Sequence, residues 1–192
     1  MRNTELRPIK LGQKERREMY NPNIHKRRSI RLKGYDYSQE GYYFITICTQ
    51  GKIKVLSNIV GAGPVSAQKT KLTYTGKLIQ KAYLNLENEF PNIKLHNYVI
   101  MPNHVHGIIE IQKWADTGPA PTIGDIICSF KTRTTCNILK EIKQGKIQHF
   151  DKRIWQRNYY EHIIRNEKEL YAIIEYIENN PKNWDKDSLN KE

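Results

Sequence analysis

The feature that most constrains the fold is a pair of β-rich runs, residues 95–101 and 104–111, separated only by Pro102-Asn103. Two such runs joined by turn-forming residues predict an antiparallel hairpin with a tight turn. Successive side chains of a strand point to opposite faces, so His104 and His106 are expected on the same face. Two neutral imidazoles placed in this way can bind one metal ion, although such a pair alone is weak evidence.

The other segments alternate between strand-like and helix-like patterns. Strands are predicted over residues 41–49 and 155–165, and amphipathic helices over residues 75–90, 122–144 and 166–179. Thr75 is a candidate N-cap for the first helix, and Pro181 ends the last one. The Gly/Pro-containing stretches 57–71 and 113–121 are expected to be loops. This order predicts a ferredoxin-like α+β fold, in which an antiparallel sheet carries its helices on one face.

The last predicted helix carries a side chain of chemical interest beside its apolar stripe. The stripe is formed by Leu170, Ile173, Ile174 and Ile177. Tyr176 lies on its flank, and Asn180 falls on almost the same line one turn later. A helix that covers the sheet would therefore aim a phenol and a carboxamide oxygen at the two histidines. The alternative is that Tyr176 is one of 12 tyrosines, half-buried at the edge of the core.

Positive charge is concentrated near the N-terminus. Residues 1–33 carry eleven Lys and Arg against three Glu, which is +8 of the formal net charge of +12. Such a field attracts polyanions and favours nucleic acid, although a solvated basic tail is the alternative. No apolar run approaches the roughly 18–20 residues that cross a bilayer, so no membrane contact is expected. Cys48, Cys128 and Cys136 lack CxxC spacing and are expected to be buried thiols in a reducing cytoplasm.

Five segments carry a resemblance to a known family: 28–37 (RSIRLKGYDY), 43–46 (YFIT), 98–106 (YVIMPNHVH), 154–165 (IWQRNYYEHIIR) and 176–181 (YIENNP). Together they resemble the REP-associated tyrosine transposases and the related single-tyrosine transposases of the HUH endonuclease superfamily. The PNHVH and YIxxNP elements are specific in combination. The resemblance predicts a single-tyrosine HUH transposase domain at 27–183. The residues outside it are interpreted as a basic N-terminal arm at 1–26 and a C-terminal tail at 184–192.

The resemblance implies a metal-dependent single-stranded DNA endonuclease and strand transferase that acts through a 5′-phosphotyrosine intermediate at hairpin-flanked sites. Tyr176 would be the nucleophile, with His104 and His106 as catalytic metal ligands and Asn180 as a third ligand. The ion would be Mg²⁺ or Mn²⁺, and histidine favours Mn²⁺. The residues expected to bind DNA are Arg27, Arg28, Arg31, Lys33, Lys131 and Arg133. The enzyme would be a monomer or homodimer in the bacterial cytoplasm, associated with the nucleoid and with hairpin-forming single-stranded DNA.

Two other functions remain open. In the first, the chain binds nucleic-acid hairpins without cleavage, and the histidine pair is vestigial. In the second, a metal-dependent hydrolase uses water, and Tyr176 is dispensable. Tyr159 and Tyr160 are rival nucleophiles, although sheet packing explains them equally well. His162 is expected to be structural or to contact a phosphate.

Overall fold

The computed structural model describes residues 34–61, 68–114, 118–150 and 153–190. Its elements in chain order are β1 (Gly41–Cys48), β2 (Ser57–Val60), β3 (Lys69–Leu72), α1 (Tyr74–Leu84), α2 (Leu86–Glu89), β4 (Ile93–Ile100), β5 (His104–Ile111), α3 (Ile123–Lys143), β6 (Tyr160–Ile164) and α4 (Glu167–Asn179). A 3-10 helix, Pro181–Lys186, follows α4 directly. The predicted arm 1–26 and the DNA-binding candidates Arg27, Arg28, Arg31 and Lys33 lie outside the described residues.

Four of the strands form one antiparallel sheet in the order β4-β5-β1-β6. Along the chain, α1 follows β1 and precedes the β4–β5 hairpin, and α3 then leads to β6 at the edge beside β1. This strand order is that of a ferredoxin-like βαββαβ unit. The predicted ferredoxin-like α+β fold and its central hairpin are therefore confirmed.

Helices cover both faces of this sheet, whereas the sequence analysis expects them on one. On one face α1 and α3 pack against a core that includes Ile45 and Val105. On the other face α4 packs through Ile177 against Phe44 and Ile108. The unbroken buried run in the middle of β1 is the local sign of this arrangement, because a strand with one solvent-facing side alternates buried and exposed residues. The face beneath α4 is the one that holds the two histidines.

The prediction of a loop over residues 57–71 is wrong in part. Strands β2 and β3 pair as an antiparallel hairpin, from Ser57 opposite Leu72 to Val60 opposite Lys69. Each strand has only four residues, and polar side chains make up half of them or more. A segment that short and polar shows no clear alternation, so the pattern rules miss it.

The first predicted helix begins earlier than expected and is interrupted. Its N-cap is Thr73, whose extended backbone lets Oγ1 accept a hydrogen bond from the Gly76 N–H at 3.0 Å. The predicted cap, Thr75, already lies inside the helix, where its backbone cannot adopt the cap conformation. The helix breaks at Asn85, which separates α1 from α2.

Three further predictions concern the last strand, the cysteines and the membrane. The last strand is shorter than predicted, because Trp155 forms only an isolated bridge with Thr49 before β6 begins.

Cys128 and Cys136 are exposed rather than buried, and Cys48 is partly buried. Within the described ranges, no helix is both long enough and apolar enough to cross a membrane.

A close backbone approach at Gly76 provides a test of this fold. A Cβ at this position would lie 1.9 Å from the Leu56 carbonyl oxygen. Gly76→Ala is therefore expected to lower the free energy of unfolding by about 1–3 kcal/mol, as at other overpacked sites, and with it the midpoint of urea unfolding. Alanine ordinarily stabilises a helix relative to glycine by roughly 1 kcal/mol, so the sign of the effect is informative. Lys77→Ala, at an exposed position of the same turn, is the control. A raised midpoint for Gly76→Ala would contradict the close approach of the Gly76 and Leu56 backbones.

Candidate active site

His104 and His106 occupy the first and third positions of β5, and their side chains lie on the face beneath α4. Val105 between them is fully buried in the opposite core. The two imidazoles are almost completely buried, with exposed fractions of 0% and 2%, and their ring centroids are 4.4 Å apart. The structure therefore places the side chains of His104 and His106 on the same face of the sheet, as predicted.

The hydrogen-bond partner of His104 Nδ1 determines which of the two ring nitrogens carries the proton. The Asn103 amide nitrogen donates to the Leu189 carbonyl at 2.8 Å, so Asn103 Oδ1 is left facing His104 Nδ1, also at 2.8 Å. An amide oxygen only accepts, so Nδ1 carries the proton and the Nε2 lone pair is free. His106 is held in the same way, by a 2.8 Å hydrogen bond between Nδ1 and the Thr46 hydroxyl. Partners of this kind orient metal-binding histidines.

Tyr176 projects from α4 towards this pair. Its hydroxyl lies 3.3 Å from His106 Nε2, and the two ring centroids are 5.2 Å apart. Phe44 packs edge-on against the Tyr176 ring at 6.0 Å and stacks on His106 at 5.3 Å, which holds the phenol in place. The residue as a whole remains 48% exposed, unlike the two buried histidines.

Three buried polar atoms at the site have no hydrogen-bond partner: His104 Nε2, Asn180 Oδ1 and Asp187 Oδ2. Asn180 caps the C-terminus of α4 and is 4% exposed, and Asp187 Oδ2 lies 3.8 Å from His104 Nε2. Unpaired buried polar atoms are unfavourable, and a bound cation would satisfy all three. Within the described ranges no three His, Cys, Asp or Glu side chains form a preformed metal centre. The donor atoms nevertheless fit a divalent ion held by the histidines and the Asn180 oxygen.

The protonation states suit this use of the residues. Burial lowers the pKa of His104 to about 4, opposed by the Asp187 carboxylate and the Asn180 amide. Burial and the neighbouring His104 hold the pKa of His106 well below its ordinary value. Both imidazoles are therefore neutral near pH 7, and their lone pairs are available. Burial, with the Asp187 charge, raises the pKa of Tyr176, so its phenol is protonated at neutral pH.

The residues after the YIxxNP motif pack against the site as far as they are described. Residues 184–192 are predicted to be a tail, yet Trp184 is buried, with its ring centroid 6.1 Å from that of His104. Asp187 and Leu189 contribute the contacts given above. Thr46, Asn103 and Asp187 were not among the predicted site residues. No local pattern indicates Asp187, whereas the position of Thr46 opposite His106 follows from strand register.

The DNA-binding prediction for Lys131 is not supported. Its ammonium donates to three consecutive backbone carbonyls, those of residues 156–158, at 3.1, 3.3 and 3.1 Å. An ammonium has three N–H donors, so none is left for a phosphate. Arg133 is half-exposed and pairs through Nε with Glu89 at 2.6 Å, and its contact with DNA stays a prediction. Both residues lie on α3, which covers the sheet face opposite to the histidines.

The rival residues have other surroundings. The Tyr159 ring lies beside the Lys131 ammonium, at 5.4 Å. Tyr160 is exposed, and its ring contacts Phe44 edge-on at 6.4 Å. His162 Nε2 and Glu169 Oε1 are 2.6 Å apart, which links β6 to α4 and agrees with a structural role. Among these tyrosines and Tyr176, the structure gives a contact with the histidine pair for Tyr176.

Comparisons with known proteins point in one direction. The profile of the family described as "Transposase IS200 like" matches residues 69–180. An uncharacterised protein of Haemophilus influenzae is 40% identical over 186 residues, covering 88% of this chain and 96% of that protein. A second H. influenzae protein, whose name assigns it to the REP-associated tyrosine transposases, is 26% identical over 149 residues, covering 76% and 73%. The solved structure of a REP-associated tyrosine transposase bound to a REP hairpin has a TM-score of 0.52 at 20% identity, covering 79% and 73%, and shows a shared fold.

Proposed function

This chain belongs to the IS200-like transposase family, and from that premise we propose that it cuts and rejoins single-stranded DNA through a covalent bond to Tyr176. The observation that carries the proposal is the 3.3 Å separation between the Tyr176 hydroxyl and Nε2 of the buried His106. A phosphodiester bound beside His104 and His106 would lie within reach of this hydroxyl. The half-exposed position of Tyr176 leaves the approach open.

The strand is cut when the Tyr176 oxygen attacks phosphorus. The new bond joins this oxygen to the phosphorus that stays on the 5′ end of the downstream strand. The bond from phosphorus to the 3′ oxygen of the upstream strand breaks. Tyr176 loses its proton and the 3′ oxygen takes one up, so the proton count is unchanged. The phosphotyrosine conserves the free energy of the broken bond, and the 3′-hydroxyl of a second strand can therefore attack it without ATP. Tyr176 is then released with its proton restored.

The residues around Tyr176 supply orientation and charge. Phe44 restricts the phenol, and Asn103 and Thr46 hold the two imidazoles with their Nε2 atoms towards the site. A divalent ion held by His104, His106 and Asn180 would supply a Lewis acid that polarises the scissile phosphate and neutralises charge on its oxygens. Because burial raises the pKa of Tyr176, loss of its proton must accompany the attack on phosphorus.

The direct test is incubation of the full chain with labelled, hairpin-forming single-stranded oligonucleotides and Mn²⁺. The solved transposase of like fold is bound to a REP hairpin, which makes a hairpin with single-stranded flanks the first substrate to try. The proposal expects a labelled product that migrates with the protein on a denaturing gel, together with a shorter strand that ends in a 3′-hydroxyl. Cleavage without any protein-linked label would favour a hydrolase that uses water.

The basic segment before β1 is expected to grip the DNA backbone. Replacing Arg27, Arg28 and Arg31 by alanine removes up to three phosphate contacts, each worth about 0.7–0.9 units in the slope of log K against log salt. We therefore expect a slope flatter by about two units and weaker binding at low salt. Fluorescence anisotropy across a salt series measures both quantities.

A charge-matched control separates local contacts from net charge. Lys71, Lys94 and Lys113 are exposed on β3, on β4 and after β5, apart from α3, which carries Arg133. Their triple alanine variant changes the net charge equally but should leave the slope close to that of the parent. An unchanged slope for the arginine variant would leave the segment as a solvated tail.

A further inference from the structure

We propose that Asp187 is an additional ligand of the metal ion at His104 and His106, contributed by the segment that follows α4. The inference rests on the proposed metal-dependent function and deepens it. The residue lies beyond the YIxxNP motif and beyond the family match, which ends at residue 180. It therefore lies outside the part of the chain that the family profile matches.

The first support is a buried carboxylate oxygen without a partner. The Asp187 side chain is 9% exposed, and its Oδ2 has no hydrogen bond. The neighbouring His104 Nε2 and Asn180 Oδ1 are also unpaired. A buried carboxylate is unfavourable unless a cation or several donors compensate it. Imidazole nitrogen, amide oxygen and carboxylate oxygen together form a donor set suited to Mn²⁺ or Mg²⁺.

The second support is that the other contacts of this segment fix the carboxylate. Asp187 Oδ1 accepts a hydrogen bond from the Leu189 backbone N–H at 2.7 Å, so Oδ2 is the oxygen left for the site. The Leu189 carbonyl accepts from the Asn103 amide, which in turn holds His104. One short segment therefore positions the carboxylate and, through Asn103, the imidazole next to it.

The distance between the two donors allows one ion to bind both. Ligands that each lie about 2.1 Å from an ion can be at most about 4.2 Å apart. Asp187 Oδ2 and His104 Nε2 are 3.8 Å apart, inside this limit. A direct hydrogen bond would need about 3 Å, so the present spacing suits a shared ion better than a direct contact.

Asp187→Asn isolates the metal-binding role. The amide oxygen can still accept from the Leu189 N–H, while an NH₂ group replaces Oδ2 and faces His104. We expect Mn²⁺ affinity of the full-length, DNA-free protein to fall at least about tenfold, measured by calorimetric titration and by Mn²⁺ electron paramagnetic resonance. Asp185→Asn is the matched control, because Asp185 is exposed in the 3-10 helix that ends just before Asp187, and the substitution removes the same charge. Its Mn²⁺ affinity should stay within about twofold of the parent's.

Further variants make each result decisive. Asp187→Ser keeps an acceptor for Leu189 but removes the second oxygen, so it should weaken Mn²⁺ binding as much as Asp187→Asn, with thermal unfolding checked without metal. Parental affinity in either folded variant would overturn the inference and leave the proposed function standing. The double variant His104→Ala/His106→Ala should lose Mn²⁺ binding. If its Mn²⁺ affinity equals the parent's, the metal site itself is wrong, and the role of Asp187 with it.

Discussion

Tyr176→Phe is expected to eliminate the covalent protein–DNA product and to reduce strand cleavage by at least about a thousandfold, because the attacking atom is removed. The cost in stability should be about 1 kcal/mol, since the hydroxyl of this half-exposed residue contacts His106 at 3.3 Å and interacts with the Asn180 side chain. Hairpin binding should persist. Denaturing gels measure the adduct, and anisotropy measures the binding.

The matched control for this variant is Tyr171→Phe. Tyr171 lies on the same helix and is 68% exposed, so it loses the same atom without approaching the histidines. It should form the adduct at the parental rate. Full cleavage by Tyr176→Phe would favour the water-using hydrolase, and a parent that binds hairpins but never cuts them would favour the non-cleaving alternative.

The second large effect is expected from His104→Ala combined with His106→Ala. This variant removes both imidazole donors and should abolish Mn²⁺ binding and cleavage together, leaving DNA binding in place. Both side chains are buried, so the variant also creates a cavity, and circular dichroism melts must show that it remains folded. Calorimetry with Mn²⁺ and the gel assay are then compared at a temperature below the transition.

Loss of another histidine provides the control. His96 pairs with Glu110 at 2.7 Å, near the end of β5 opposite to His104. His96→Ala should retain Mn²⁺ binding and cleavage. Parental cleavage by the His104/His106 double variant in chelator-treated buffer would contradict the assignment of a catalytic metal.

The parts of the fold that sequence predicts correctly are those with a strong local period. The β4–β5 hairpin and α4 each repeat apolar residues at a spacing typical of their element, and the structure has both. Strands β2 and β3 have no such repeat, because four residues with several polar side chains cannot show one. The continuous apolar run of β1 is a local sign that both faces of the sheet are covered. No local period shows that α4 is the helix that covers the second face.

The same distinction separates the parts of the candidate site. Periods of two and of about four residues place His104 with His106, and Tyr176 with Asn180, on common faces of single elements. The resemblance to a known family is what makes these four residues the candidates. Asp187 comes into the site only because the 3-10 helix turns the chain back over β5. The spacing of residues in the sequence does not indicate a tertiary contact of this kind.

Lys131 has partners that its sequence position does not reveal. Its charge suggests a phosphate contact, but the segment before β6 takes all three of its N–H donors. Backbone carbonyls outside regular structure need donors wherever they are buried, and a half-buried lysine can supply them. Sequence shows the charge of such a residue and not the use that the fold makes of it.

Mass spectrometry of the protease-digested adduct tests the central claim most directly. The protein is incubated with a hairpin oligonucleotide and Mn²⁺, denatured and digested, and the peptide that carries the nucleotide is sequenced. We predict a nucleotide joined through its 5′ phosphate to Tyr176 in the peptide from α4. A nucleotide on Tyr159, Tyr160 or Tyr171, or cleavage with no modified peptide, would contradict the account.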